Sequence, residues 1–267
     1  MLYIVATPIG NLGEITFRAV EVLSSVEYIL CEDTRTSKVL LNKYDIKTRC
    51  VSYHKFNENE KVQSIINDLN DDKDIALVSD AGMPGISDPG NILVNKLKEN
   101  NLSYTVVSGP SALINAFVLS GYPTPFTFIG FLPEKTSAKK KLLDEVSKYN
   151  STLIFYISPH NLTDIFDLLS KSLGNRECAV VREISKMFEE VVFTTLENGY
   201  NGMGKGEFVL VVKASENEEN ELNNMDISSH VKYYMGMGHD KNTAIKMVAK
   251  DRGVKKNDIY QATLDKK

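Results

Sequence analysis

Five times in the first 121 residues a short apolar run leads into an amphipathic one, and this alternation limits the fold more than any other feature. LYIVA precedes FRAVEVLSSV, YILCE precedes SKVLLNKY, CVSYH precedes VQSIINDL, IALVS precedes NILVNKLKEN, and YTVVSG precedes SALINAFVLSG. Strand-then-helix units in series predict an α/β domain whose parallel sheet is covered on both faces. Such sheets bind ligands outside the carboxyl ends of their strands, where the strand order reverses.

The prolines of GYPTPF end this series, and a second α/β unit follows. Its last segments, CAVVREI, EEVVFTTL and EFVLVVK, have no helices between them, so its sheet is expected to be mixed. The acidic stretch SENEENELNNMD lacks apolar spacing and reads as a linker. The expected organisation is residues 1–113 and 114–214 as two α/β domains, 215–226 as the linker, and 227–267 as a small basic helical tail. A chain of 267 residues has the length for this.

Charge separates the tail from the rest. The formal net charge is -4, yet Lys241–Lys267 carries eight Lys/Arg against three Asp, which points to an anionic partner. Around DRGV, the residues Ala244, Ile245, Val248, Ala249, Val254, Ile259 and Tyr260 fall at helical spacing, the pattern of two short helices joined by a Gly turn. Lys250, Arg252, Lys255 and Lys256 cluster there as phosphate-contact candidates; a dimer-packing or capping helix pair is the plainer alternative. The opening residues have neither the basic flank nor the apolar length of a signal peptide or membrane anchor, so a cytoplasmic protein is expected. Cys31, Cys50 and Cys178 lie far apart and outside any zinc spacing, which fits a reducing compartment; no metal is expected.

The chemistry is concentrated in loops behind strands. LVSDAGMPGISDPG, residues 77–90, places Gly82, Gly85 and Gly90 where backbone can approach a ligand, with Pro84 and Pro89 fixing the path and Asp80 and Asp88 as acceptors. ATPIGNLGE at 6–14 and SGPSA at 108–112 are similar loops behind the first and fifth strands, so three Gly/Pro loops point into one cleft. No G-x-G-x-x-G follows the first strand, which argues against a dinucleotide. GYNGMGKG, 199–206, has the spacing of a phosphate-binding loop. It ends in Gly206 where Ser or Thr must reach magnesium, and it leads into a strand.

LYIVATPIGNLGEITFRAVEVL, EDTRTS, HKFNENEK, ALVSDAGMPGISDPG, SGPSALINA, FIGFLPEK, LIFYISPHNL, REISKMFEE, KGEFVLVV and GVKKNDIY occur in this order over nearly the whole chain. In them the sequence resembles the small-subunit ribosomal RNA methyltransferases of the tetrapyrrole methylase superfamily. The resemblance implies S-adenosyl-L-methionine as cofactor and a cytidine 2'-hydroxyl in the decoding region of 16S rRNA as substrate. It also implies a homodimer, and a cofactor folded between two domains. By position it puts cofactor contacts at Pro8, Ile9, Asp80, Gly82, Met83, Ser111, Ala112, Tyr156, Ile157, Gly206 and Glu207. Met83 departs from it, since the resemblance implies Thr there.

Help with the hydroxyl proton is sought among polar clusters near strand ends, with Asp33, Arg35, His54 and Glu183 as candidate catalytic residues. Asp33 beside Arg35 is either a poised carboxylate or a salt bridge at a helix start, and a lone His such as His54 is more often structural. The general base is left unassigned. A corrinoid or porphyrin C-methyltransferase and a non-catalytic RNA-binding assembly factor stay open as alternatives.

Overall fold

The structure is a computed structural model that describes residues 1–159, 162–215, 222 and 225–263, with Thr163 as backbone only. Most of the expected linker, and Lys266 and Lys267 at the end of the tail, lie outside the described residues. The chain forms two compact units, Met1–Ala214 and Ser215–Lys267. The expected boundary at 113/114 falls inside the first.

The first sheet comprises β1 (Leu2–Val5), β2 (Tyr28–Cys31), β3 (Cys50–Ser52), β4 (Ile75–Val78) and β5 (Tyr104–Val107), in the order β3-β2-β4-β1-β5 with every pair parallel. β2 and β4 are buried along their whole length, as a doubly covered sheet requires. Period-two alternation divides the side chains between faces. Val5, Ile29 and Val78 pack with Leu23 and Leu41 of α1 (Phe17–Ser25) and α2 (Thr34–Lys43). Leu2, Leu30 and Leu77 pack with Ile65, Leu93 and Leu97 of α3 (Glu58–Asn70) and α4 (Asn91–Glu99).

The fifth helix departs from expectation. In α5 (Ala112–Ser120), Leu113 and Ala116 pack against Ile154, Val181, Val209 and Val211, so this helix covers the second sheet and not the first. ALINAFVLS is apolar on nearly every side, and its pattern therefore does not select a neighbour.

The second sheet runs β6 (Phe126–Phe131), β7 (Thr152–Ile157), β10 (Phe208–Val212), β8 (Glu177–Arg182), β9 (Glu190–Thr195). Only β6 and β7 pair in parallel, and the sheet is mixed as expected. Leu153, Phe155, Val180 and Leu210 face Leu143 and Val146 of α6 (Thr136–Val146) and Phe166 and Leu169 of α7 (Leu162–Leu173).

The second unit holds three helices among its described residues: α8 (Ile227–Gly236), α9 (Lys241–Asp251) and α10 (Lys256–Ala262). α9 and α10 are the expected pair, and α8 is a third member that the DRGV pattern did not reveal. Val231, Ala244, Ile245, Val248, Ala249 and Ile259 form its core. Asp226 and Asp240 start α8 and α9 by accepting hydrogen bonds from two backbone N–H groups each. No helix among the described residues is long and apolar enough to cross a membrane.

Candidate functional site

The three Gly/Pro loops meet at the carboxyl edge of the first sheet. The Thr7 N–H donates to the Gly82 carbonyl (2.9 Å) and the Gly82 N–H returns to the Thr7 carbonyl (3.1 Å), clasping the loops behind β1 and β4 together. Gly82 sits at φ +78°, a conformation that costs glycine little. Behind β5, a side chain on Gly109 would lie 2.9 Å from the Ala6 Cβ, so only glycine lets these two loops close.

A cavity of about 370 Å³ opens between this edge and the strand ends of the second sheet. Its walls include Ile9, Gly82 and Met83, then Ser111 and Ala112, then Tyr156, Ile157 and Glu207. Eight of the eleven residues expected at the cofactor are thus brought together. Met83 also packs against the first core. Pro8, Asp80 and Gly206 are not among the lining residues. Asp80 instead accepts the Asp33 N–H at 3.1 Å, tying the loops behind β2 and β4. Gly206, at φ +110°, leaves room for Glu183, whose Oε1 would be 2.7 Å from a Cβ placed there.

Asp88 and Glu207 are the acidic residues in the cavity wall, and Glu207 is paired with Lys186. Burial pushes the Asp88 carboxyl above the usual range and Asp80 adds to this, against a hydrogen bond from Ser79. Burial likewise raises Glu32, helped by Asp88 and Asp80. Burial raises the Tyr156 phenol to about 12, so it remains a donor at neutral pH. Asp88 was visible in the sequence as an acceptor in the same loop as Asp80. Which of the two faces the cavity depends on the path through Gly82 and Gly85, at φ +78° and +80°, which the sequence does not display.

The catalytic candidates are dispersed. Both Asp33 oxygens accept from the Arg35 Nε and Nη2, at 2.7–3.2 Å, which lowers its carboxyl to about 2. This is a salt bridge at the start of α2, and it makes Asp33 a poor base. His54 lies behind β3, at the outer edge of the sheet and two strand positions from β4. Its backbone N–H donates to Asn57 Oδ1 at 2.8 Å, and the Asn57 amide lies 3.3 Å from its Nε2. Glu183 stands beside the cavity, where it accepts from Lys186 Nζ (2.9 Å) and the Glu207 N–H (2.8 Å). Burial acts to raise its carboxyl, but these bonds outweigh it and leave the group below its ordinary value. Lys186, which shares the polar cluster VREISK with Glu183, also reaches Glu207 at 3.1 Å. Its stem lies over Gly10, where a Cβ would meet Lys186 Cγ at 2.5 Å.

Of the tail candidates, Lys250, Lys255 and Lys256 are exposed. Arg252 is engaged inside its own unit, donating from Nε to His230 Nδ1 (3.2 Å) and from Nη2 to the Met225 and Leu222 carbonyls. It thus ties α8 and the segment before it to the end of α9.

The cavity suits S-adenosyl-L-methionine. Apolar walls from Ile9, Ala112, Ile157 and Val209 fit an adenosyl group, Gly82 brings backbone polar groups close, and the Asp88 carboxylate suits a cation. Among the described residues no cluster of metal-binding side chains occurs.

Residues 1–198 match the family described as tetrapyrrole (corrin/porphyrin) methylases. Curated relatives named ribosomal RNA small subunit methyltransferase I include one from Halalkalibacterium halodurans, 44% identical over 97% of this chain and 93% of its own. Another, from Bacillus subtilis, is 40% identical over 98% and 93%. Among solved structures, the methyltransferase CobJ has a TM-score of 0.61 at 16% identity, over 80% of this chain and 94% of its own. The cobalt precorrin-4 methyltransferase CbiF has 0.60 at 19%, over 79% and 94%. These likenesses carry the fold alone, but with the family match and the near-full-length relatives they agree: the chain belongs to the tetrapyrrole methylase family and is a methyltransferase that uses S-adenosyl-L-methionine.

Proposed function

We propose that this protein transfers a methyl group to small-subunit ribosomal RNA, at the 2'-hydroxyl of a cytidine in the decoding region of 16S rRNA. The observation that carries the reading is the degree of likeness: relatives named for ribosomal RNA are 40–44% identical to this chain, the solved tetrapyrrole methyltransferases 16–19%. The family match ends at residue 198, and the solved tetrapyrrole methyltransferases cover about four-fifths of the chain. Relatives named for ribosomal RNA from Halalkalibacterium halodurans and Bacillus subtilis run over 97–98% of it, into the basic helical tail, and one from Mycoplasmopsis pulmonis covers 79% of it and 96% of its own length. A cationic helical tail such as residues 227–267 suits a polyanion, whereas a macrocycle enzyme has no evident use for one.

Bound S-adenosyl-L-methionine supplies a methyl group made electrophilic by its sulfonium. Ile9, Ala112, Ile157 and Val209 would exclude water around it, the Gly82 backbone would hold it, and the Asp88 carboxylate would complement its positive charge. A ribose 2'-oxygen at the cavity mouth would take the methyl as the sulfonium S–CH3 bond breaks, leaving S-adenosyl-L-homocysteine and releasing the hydroxyl proton to solvent, and the protein would contribute chiefly by holding the partners in line. Asp33 and Glu183, both neutralised by cations, serve the shape of the site. Lys250, Lys255 and Lys256 contact phosphates. The same reading makes the enzyme a homodimer and places it in the cytoplasm with the ribosome.

Incubation with methyl-labelled S-adenosyl-L-methionine and undermethylated small subunits tests this. Label at a single cytidine whose 3'-linkage resists alkali is expected. Label on a base, or methylation of a tetrapyrrole in place of subunits, would overturn the reading.

A further inference from the structure

The loop joining β8 to β9, residues 183–189, holds two large apolar side chains in water beside the cavity. Met187 is 90% exposed and Phe188 69%. The facing loop, 199–207, adds Met203 at 62%. Side chains this exposed on a loose loop would turn inward, but these loops are tightly fastened. The Glu183 N–H donates to the Glu207 carbonyl (2.9 Å), and the Glu207 N–H donates to Glu183 Oε1 (2.8 Å). The Ser185 N–H donates to Glu189 Oε2 (2.7 Å), and Arg182 Nε donates to the Lys205 carbonyl (2.7 Å). Glu183 and Ser185 are held at φ +52° and +65°, left-handed positions that non-glycine residues rarely keep without a reason.

The loops are continuous with the site, since Ile184 and Glu207 form part of the cavity wall and Lys186 lies on Gly10. Lys205 is exposed next to Met203. An exposed aromatic side chain and thioethers on two bonded loops that also supply Ile184 and Glu207 to the cavity wall, with an exposed cation on one of them, match an unstacked nucleobase and its phosphate.

We propose that Phe188, next to Met187 in its own loop, is a stacking platform for an unpaired base of the RNA next to the ribose presented to the cavity, with Lys205 of the bonded loop on its phosphate. This rests on the ribosomal RNA reading and names how that site holds its substrate. A second copy of this chain is the competing occupant.

The chain contains no tryptophan, so Phe188→Trp creates a single fluorescent reporter at the platform. Titration with a short single-stranded oligoribonucleotide containing cytidine, and with undermethylated small subunits, is expected to quench it saturably. Phe188→Ala is expected to raise KM for the subunit about tenfold, within the range of base–aromatic stacking, while S-adenosyl-L-methionine affinity and melting temperature are kept. Phe188→Tyr is expected to restore KM and Phe188→Leu is not. An unquenched reporter in an enzyme that still methylates subunits overturns the platform and leaves the functional reading standing. Dissociation of a dimer by Phe188→Ala, restored by Leu, assigns the patch to a second copy and overturns it too. Failure of the unaltered enzyme to methylate subunits overturns the functional reading and the platform together.

Discussion

A carboxylate held above its ordinary pKa in a cavity wall costs stability that a cationic ligand returns, and Asp88 is in this position. Because its folded value is raised, the folded chain binds its proton more tightly than the unfolded one. Its contribution is thus favourable in acid and is lost as pH rises through the folded value. Asp88→Asn is expected to weaken S-adenosyl-L-methionine binding by about tenfold, roughly the worth of one charge-assisted contact, and to leave the ligand-free protein as stable or more so. Calorimetric titration beside thermal melting checks this; a lower melting point with unchanged affinity would refute it. Gly206→Ala meets two penalties, φ +110° and a Cβ 2.7 Å from Glu183 Oε1. A loss of about 1–3 kcal/mol in denaturant unfolding is expected, together with weaker cofactor binding as Glu207 shifts. At this scale the sequence displays which residues share the cavity wall where backbone decides, at Gly82 and in the run Ser111–Ala112. It does not display this where rotation of a loop decides, as at Asp80 against Asp88.

Among the elements, the helical trio of the second unit is joined through polar groups that charge counting misread. His230 is fully buried, with the Arg252 Nε on its Nδ1 and Asp251 Oδ2 3.2 Å from its Nε2, while the Tyr234 ring stacks on it at 5.5 Å. Burial, and then the Arg252 charge, lower the His230 pKa below 6.5. The neutral form is the one that folds, so this unit is expected to lose stability as pH falls from about 6.5 through the lower folded value. Circular dichroism melts at pH 5.5 and 7.5 would show it, and His230→Phe should flatten the difference. Arg252→Ala should destabilise the unit by about 2 kcal/mol through lost charge-assisted hydrogen bonds. Lys250→Ala, Lys255→Ala and Lys256→Ala should leave the melt alone and each lower the slope of log affinity for RNA against log salt by about one. The reverse pattern would return Arg252 to the RNA-contact set. Strands and helices were legible here because apolar period reports burial. The partner of a helix such as α5 was not, because a helix apolar all round fits either sheet.

For the whole chain, each unit has its own core, so a protein ending at Ala214 is expected to fold and bind S-adenosyl-L-methionine with unchanged affinity. It is expected to lose methylation of subunits; retained methylation would remove the tail from the substrate's binding surface. The α/β order was legible from the first strands onward, since crossover connections leave few alternatives. Less legible was where the last strand goes. β10 inserts between β7 and β8, and residues 207–209 complete the cavity wall. During synthesis, then, the parallel sheet and its loops emerge first, but the second sheet stays in two halves until its central strand leaves the ribosome. A nascent chain shorter than about 212 residues has no finished pocket, so cofactor capture reports that nearly the whole first unit has been made.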